Sequence, residues 1–404
     1  MKTLVLNAGS STLKYQLIDM ENEKVLCKGL CERLGIDGRH THKVNGQSIK
    51  RDVVMHNHMD ALKEVLNIIV DKELGVINSL SEIDAIGHRV LHGGEQFTQS
   101  VLIDDEVLKG IKELIPLGPL HQPANIQGIE ACASLMPGKP QVAVFDTAFH
   151  STMPDYAYRY AIPKNAYTDW KIRKYGFHGT SHKYIAEELE KLIGRKGKFI
   201  ICHIGNGASV SAVKDGKCID TSMGYTPLEG LVMGSRSGDV DPAILERIMK
   251  ETGMTINETI NYLNKKSGLL GVSGLSEDMR DLETIAYSDE QSVRASDCRL
   301  GLNMHAYRVK KYIGSYLAVL GGADAICFTA GVGENGSEYR ENVLSGLENL
   351  GIVLDKDKNL TNFKRGVVSE ISASNSKIKV FVIPTNEELM IARDTKEIVL
   401  AQKK

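Results

Sequence analysis

Two stretches of this chain carry the same equipment for holding an anion. Leu4 to Asp19 (LVLNAGSSTLKYQLID) joins two apolar, partly alternating runs through a small polar turn with Asn7, Gly9, Ser10, Ser11 and Thr12, followed by Lys14. A glycine where backbone can approach a ligand, three hydroxyls and an ammonium suit a phosphate group. An ordinary β-hairpin is the structural alternative. Phe199 to Lys214 (FIICHIGNGASVSAVK) repeats the design, with Gly205, Asn206, Gly207 and Ser209 in the turn. A repeat at this separation predicts two similar halves that each present a hairpin to a shared cleft. Two such loops point to nucleotide chemistry, either a kinase or an ATPase.

Five further runs add charged or nucleophilic groups. GHRVLHGGE (Gly87–Glu95) puts Arg89 at the end of an expected strand, where open α/β sheets bind ligands and a guanidinium can grip a carboxylate or phosphoryl group in two parallel bonds. A surface ion pair is the rival reading, and His88 and His92 read as structural. FDTAFH (Phe145–His150) sets Asp146 just after an apolar strand, as a Mg2+ ligand, an orienting carboxylate or a helix cap. KYGFHGTSH (Lys174–His182) places His178 at a helix amino terminus. His182 is one turn on, but a histidine pair is a poor site for Mg2+, which prefers oxygen. MGSRSGDVDP (Met233–Pro242) offers a second arginine, Arg236, ahead of a helix over Pro242–Met249. FTAGVGEN (Phe328–Asn335) follows a strand and reads as a loop for backbone approach to a nucleotide.

The elements that must position these groups follow from periodicity. Strands are expected at Lys24–Glu32, His42–Val44, Gln47–Val53, Asp84–Val90 and Gln141–Phe145. Helices are expected from Met59, over Asp105–Ile115 and over Pro123–Met136. The second half reads as strands Phe199–His203, Ser209–Lys214, Cys218–Asp220, Ala325–Thr329 and Lys379–Ile383, with helices Tyr184–Leu192, Leu302–Leu320 and Glu338–Leu350. A closing helix begins at Thr385, four residues with capping-box spacing to Glu388, and ends in lysines. The boundary between halves falls near His150–Pro154.

Composition narrows the partners. The 404 residues are 42% apolar, enough for two sizeable cores, and 49 basic against 51 acidic residues leave a formal charge of -2. No long block of one sign advertises a nucleic acid or a membrane surface, so the partner is expected to be small. Seven scattered cysteines without a C-x-x-C pair read as buried reduced thiols in a cytoplasmic protein. The amino terminus is too brief in its apolar run for a signal peptide, and no segment reaches the length of a membrane span.

Taken in order, NAGSSTLKYQL, GHRVLHGGE, FDTAFH, KYGFHGTSH, HIGNGAS, GSRSGDVDP, FTAGVGEN and IPTNEEL resemble the acetate kinase family, within the superfamily of acetate and sugar kinases, chaperone ATPases and actin. The resemblance covers nearly the whole chain. It implies an α/β fold of two ribonuclease H-like (actin-like) domains, each βββαβαβα, with a cleft between: residues 1–150 plus 385–404, and residues 151–384. It further implies that Arg89 and Arg236 flank the acetate and the transferring phosphoryl group, that His178 steadies it, and that Asp146 is the central aspartate. Asn7 and Glu387 would hold Mg2+, with Mn2+ as a substitute. Ser10, Thr12 and Lys14 would form the first phosphate loop, and His203, Gly205, Asn206 and Gly207 the second. Asp278, Met279, Arg280 and the loop Gly331, Val332, Gly333, Glu334, Asn335 would form the adenosine site. Leu91, Leu120, Phe177 and Pro227 would line the acyl pocket. Thr12, Ser235, Met279 and Leu91 depart from the residues common in the family, and Leu91 argues against longer acyl chains.

The activity implied is reversible in-line attack of an acetate oxygen on the γ-phosphoryl of MgATP, giving acetyl phosphate and ADP. A carboxylate is already ionised at pH 7, so no strong base is needed, and Asp146 is expected to orient Mg2+ or Arg236. A homodimer is also implied. Rivals in order are a propionate or butyrate kinase, a sugar or glycerol kinase, and an ATPase of the chaperone or actin kind. The last would need a peptide-binding segment after the core, and a sugar kinase has no reason to bring two arginines to its acceptor.

Overall fold

A computed structural model describes residues 1–288, 292–360 and 366–402. The chain divides into two compact units, Met1–Ser151 with Asn386–Lys404, and Thr152–Thr385.

The first unit is built on the opening hairpin. Strands β1 (Lys2–Gly9) and β2 (Thr12–Asp19) pair antiparallel from Lys2↔Asp19 to Gly9↔Thr12, which leaves Ser10 and Ser11 as the turn. Then come β3 (Lys24–Glu32), β4 (Arg39–Val44) and β5 (Gln47–Asp52). Asn45 and Gly46 both have positive φ between β4 and β5, as a tight two-residue hairpin turn requires. Helix α1 (His58–Ile69), β6 (Ala85–Val90), the short β7 (Val101–Leu102), α2 (Asp105–Glu113), α3 (Gln122–Leu135) and β8 (Gln141–Phe145) follow. The sheet order is β5-β4-β3-β2-β1-β6-β8-β7, with β6 parallel to both β1 and β8.

The alternation in β1 and β2 sends Leu4, Leu6, Leu13, Tyr15 and Leu17 into one core against Leu62, Val65 and Leu66 of α1. Each leucine buried this way is worth about 1.5–3 kcal/mol. Tyr15 also carries its hydroxyl between His40 Nε2 at 2.9 Å and His42 Nδ1 at 2.6 Å, while His40 Nδ1 lies 3.0 Å from Glu64 Oε1. Tyr15, His40, His42 and Glu64 therefore partner one another's polar atoms beneath this sheet.

The second unit opens with the short helices α4 (Asp155–Tyr158) and α5 (Lys164–Thr168), then α6 (Gly179–Ile193). Its sheet begins with β9 (Lys198–Ile204), β10 (Ala208–Lys214) and β11 (Lys217–Thr221). Five helices follow: α7 (Ala243–Thr252), α8 (Ile256–Lys265), α9 (Gly268–Ser273), α10 (Met279–Ala286) and α11 (Val293–Leu320). Strand β12 (Ala325–Thr329), helices α12 (Ala330–Asn335), α13 (Ser337–Leu344) and α14 (Lys356–Leu360), and strands β13 (Ser369–Glu370) and β14 (Lys379–Val382) complete it. The order is β11-β10-β9-β12-β14-β13, with β12 parallel to β9 and β14. The runs β3-β2-β1-β6-β8 and β11-β10-β9-β12-β14 thus share order and strand direction. The repeat seen in two hairpins extends to a five-stranded core in each unit.

Helix α15 (Glu387–Ala401) closes the chain and belongs to the first unit. It packs on β6 at Gly87, where a Cβ would lie 2.5 Å from Thr395 Oγ1 and 2.7 Å from Ile391 Cγ2. Only glycine lets the helix approach this closely.

Several expected boundaries differ. Helix α11 begins at Val293 rather than Leu302, because Ser292 caps it by accepting from the Ala295 amide at 3.2 Å, and its polar first turns hide the apolar period. The helix expected over Glu338–Leu350 stops at Leu344. Ser345 turns extended, Gly346 takes φ 80°, and Glu348–Leu350 forms a separate 3-10 turn. Residues 330–335 form helix α12 rather than a loop. Pro242 is the N-cap of α7 instead of its first helical residue. Asn386, not Thr385, caps α15: its Oδ1 accepts from the Leu389 amide at 3.2 Å, whereas the Thr385 hydroxyl lies 2.7 Å from Ser181 Oγ. The terminal Lys403 and Lys404 lie outside the described residues, and the last turn of α15 contains no basic residue.

Candidate active site

In the first unit the parallel strands β1, β6 and β8 deliver Asn7, Arg89 and Asp146 at or just past their carboxyl ends, because the registers Leu6↔His88 and Val90↔Phe145 align those ends. Arg89 Nε lies 3.0 and 3.1 Å from the two Asp146 oxygens, its Nη2 lies 2.5 Å from Asp146 Oδ2, and its Nη1 donates to Asn7 Oδ1 at 3.3 Å. The Asp146 side chain is 1% exposed and that of Arg89 27%. The pair is therefore largely buried and two-pronged, not the surface ion pair of the rival reading. Asp146 raises the Arg89 pKa further, by charge more than by hydrogen bonding, and keeps the guanidinium ionised. Among the described residues the ion pair of Asp146 is with Arg89. Arg89 spends its Nε edge on Asp146 and one Nη1 proton on Asn7, which leaves the other Nη1 proton and the outer Nη2 proton for a ligand.

Glu387, the first residue of α15, stands beside this cluster. Burial pushes its carboxyl up to about 7; Asp146 and Glu388 push the same way, while Arg89 and Lys14 oppose them. Asn7 and Glu387 are hard oxygen donors, and a site with few protein ligands suits Mg2+, which keeps waters and takes phosphate oxygens. Among the described residues no group of three or more histidines, cysteines and carboxylates could hold a metal by themselves. Lys14 is ion-paired with Glu388, while Ser10 is exposed in the turn and Thr12, the first residue of β2, is half-exposed. Leu91 is half-buried against the Gly118 backbone, where a Cβ would lie 2.8 Å from Leu91 Cδ2; Leu120 is 69% exposed.

In the second unit His178 caps α6 in the left-handed region, φ 58°. Its ring stacks on His203, centroids 4.2 Å apart, and its Nδ1 lies 2.9 Å from Ser209 Oγ on β10. His203 Nδ1 lies 2.8 Å from Ser181 Oγ. Arg236 donates from Nη1 to the Pro227 carbonyl at 3.3 Å; among the described residues it pairs with no carboxylate, and burial lowers its pKa. A Cβ on Gly207 would lie 3.5 Å from Arg236 Nη1 and 3.6 Å from His178 Nε2. Both atoms thus face the open side of the second turn, which glycine keeps clear. Phe177 is buried just before His178.

A cavity of about 620 Å³ lies beside this turn. Of the residues singled out in the sequence, Gly205, Asn206, Asp278, Met279, Arg280, Gly331, Val332 and Asn335 line it. Gly207, Gly333 and Glu334 do not: Gly333 is buried, and Glu334 Oε1 accepts the amides of Ala330 at 2.8 Å and Thr385 at 3.0 Å. The wall also includes Gly234, Leu269, Glu277, Glu283 and Gly336, which sequence reasoning missed. Gly234 and Glu277 adjoin motifs already singled out and could have been found by extending them. Leu269 and Glu283 carry no local signal.

Solved structures place the duplicated core in the two-domain actin-like class of phosphoryl-transfer proteins. An acetate kinase from Porphyromonas gingivalis superimposes with TM-score 0.93 at 45% identity, covering 98% of this chain and 99% of that one. A propionate kinase from Francisella tularensis gives 0.91 at 43%, with the same coverage. Within that class the chain belongs to the acetokinase family, whose sequence pattern matches residues 2–393. Acetate kinases from Caldanaerobacter subterraneus and Thermotoga maritima are each 57% identical to it, with 99% of both chains covered.

Proposed function

We propose that the chain is an acetate kinase, transferring the γ-phosphoryl of ATP to acetate, reversibly and without a covalent enzyme intermediate. The observation that carries this reading, beyond the family, is the engagement of Asp146. Both its oxygens are taken by Arg89, so it is poorly placed to act as the general base that a hydroxyl acceptor such as a sugar needs. A carboxylate acceptor needs no base. In this reading the free edge of Arg89 holds acetate, with Leu91, Leu120, Phe177 and Pro227 around its methyl. Arg236 and His178 stabilise charge on the transferring group, and the two turns hold phosphates. The cavity takes adenosine. Catalysis is then mostly positioning and charge compensation. ATP made chiral at the γ-phosphorus tests the single displacement: inversion is expected, and retention would mean a phosphoenzyme.

Asn7 and Glu387 would hold Mg2+, which screens the phosphate charge when bound. Glu387 must be ionised to do so, yet in the free protein it takes up a proton near pH 7. Its pKa is raised, so the carboxylate form is the disfavoured one, and metal binding must expel a proton below about pH 7 but not above it. Mn2+ affinity read by electron spin resonance should fall about tenfold per unit between pH 7 and 5.5 and level off above pH 7.5. Glu387→Gln should bind weakly at every pH; a wild-type profile that stays flat would remove Glu387 from the metal site.

A homodimer is supported by α7, an amphipathic helix without a buried residue, whose Ile244, Leu245, Ile248 and Met249 are left exposed or half-exposed. Light scattering at micromolar concentration should give twice the monomer mass, and the monomer mass would refute it. Residence in the cytoplasm is supported by seven free cysteines, all buried. No helix is long and apolar enough to cross a membrane among the described residues.

A further inference from the structure

Ser209 is fully buried on β10, yet its hydroxyl joins two histidines: His178 Nδ1 at 2.9 Å and His182 Nε2 at 2.8 Å. His178 and His182 are one turn apart at the start of α6, so the serine is the shared partner of both rings. A serine hydroxyl has one proton, so it can donate to only one of the rings. If it donates to His178, Nδ1 of that ring carries no proton; if it accepts from His178, Nδ1 carries one.

We propose that Ser209 and His182 are positioning residues that hold His178 in its Nε2–H form. In this arrangement His182 Nε2–H donates to Ser209 Oγ, and Ser209 O–H donates to His178 Nδ1. The only ring proton of His178 is then on Nε2, the atom that shares the open side of Gly207 with Arg236 Nη1. The inference rests on the reading that this side receives the transferring phosphoryl group. In the opposite arrangement Nε2 would present a lone pair to that anion and repel it. An imidazolium would also supply the donor. It would, however, put a second cation beside the Arg236 guanidinium and against the His203 ring, 4.2 Å away. The serine relay supplies a neutral donor without that repulsion, and the packing of two rings and a strand keeps it aimed.

Two-bond nitrogen–proton spectra of the 15N-histidine-labelled wild-type enzyme test this directly, with His178 assigned by its loss in His178→Gln. The expected pattern is a protonated Nε2 and an unprotonated Nδ1; a proton on Nδ1, alone or with one on Nε2, overturns the proposal. Ser209→Ala should mix the tautomers of His178 and lower kcat by about 10- to 100-fold, the scale on which outer partners of working side chains act, with the KM for ATP within about threefold. Ser209→Thr keeps the hydroxyl on a strand where β-branched residues fit, and should restore both signals and kcat. Ser209→Ala with wild-type turnover and unchanged His178 signals would also overturn it. If Ser209→Ala does not fold, the wild-type spectrum still decides. Failure of the underlying reading looks different: His178→Gln would then turn over at the wild-type rate whatever the tautomer.

Discussion

Arg236→Ala should lower kcat by about a thousandfold or more, with the KM for ATP changed by no more than about threefold. The reason lies in how unlike the two arginines are. Arg89 has a carboxylate bound across two of its donors, whereas Arg236 is held by a carbonyl and pairs with no carboxylate among the described residues. A guanidinium drawn out of water without a counter-charge is disfavoured in the free protein, as the lowered Arg236 pKa shows. It gains most when an anion arrives, and most of all when charge spreads over the phosphoryl oxygens in the transition state. The same argument sets the expected stability. Removing a desolvated, uncompensated charge should leave Tm unchanged or slightly raised, so activity and stability should part company. Steady-state kinetics and a thermal melt on one sample check both. A large fall in Tm together with lost activity would mean that Arg236 is there for the fold.

Arg89→Lys should raise the KM for acetate by about 10- to 100-fold with a smaller loss of kcat. An ammonium keeps the charge but cannot satisfy Asp146 and grip a second carboxylate along a planar edge. Asp146→Asn probes the same unit from the other side. It leaves Arg89 largely buried without its counter-charge, at a cost of about 3 kcal/mol in stability, and lets the fork rotate away from acetate. Because the two residues act through one contact, the double variant should be far less impaired than the product of the singles. Equal losses of kcat from Arg89→Lys and Arg236→Lys, with the acetate KM unmoved, would instead mean that the arginines form one clamp without separate partners.

Much of this arrangement was legible because it is local. The turns at Asn7–Thr12 and Gly205–Gly207 are declared by small polar residues between apolar strands, and Arg89 and Asp146 each stand at the end of such a strand. Their pairing was not legible. It depends on β6 lying between β1 and β8, a parallel order set by helices α1 to α3 and α15 packing around the sheet rather than by anything near either residue. The cavity wall shows the same limit. Met279 and Arg280 belong to a recognisable run, but Leu269 and Glu283 reach the cavity only because α9 and α10 both pack against the long helix α11. Side-chain competition explains the closing helix: Thr385 and Glu388 have the spacing of a capping box, but Asn386 takes the cap while Thr385 bonds to Ser181.

The most direct test is to trap acyl phosphate with hydroxylamine, comparing kcat/KM for acetate, propionate, butyrate and glycerol with ATP and Mg2+. Acetate should give the largest value. Propionate should fall below it by about 10- to 200-fold, the range one methylene can command in an apolar pocket, and butyrate lower still. Glycerol, which cannot form a trappable acyl phosphate, should not stimulate ADP release. A kcat/KM for propionate or butyrate above that for acetate, or ADP release that depends on glycerol, would contradict a site built for acetate.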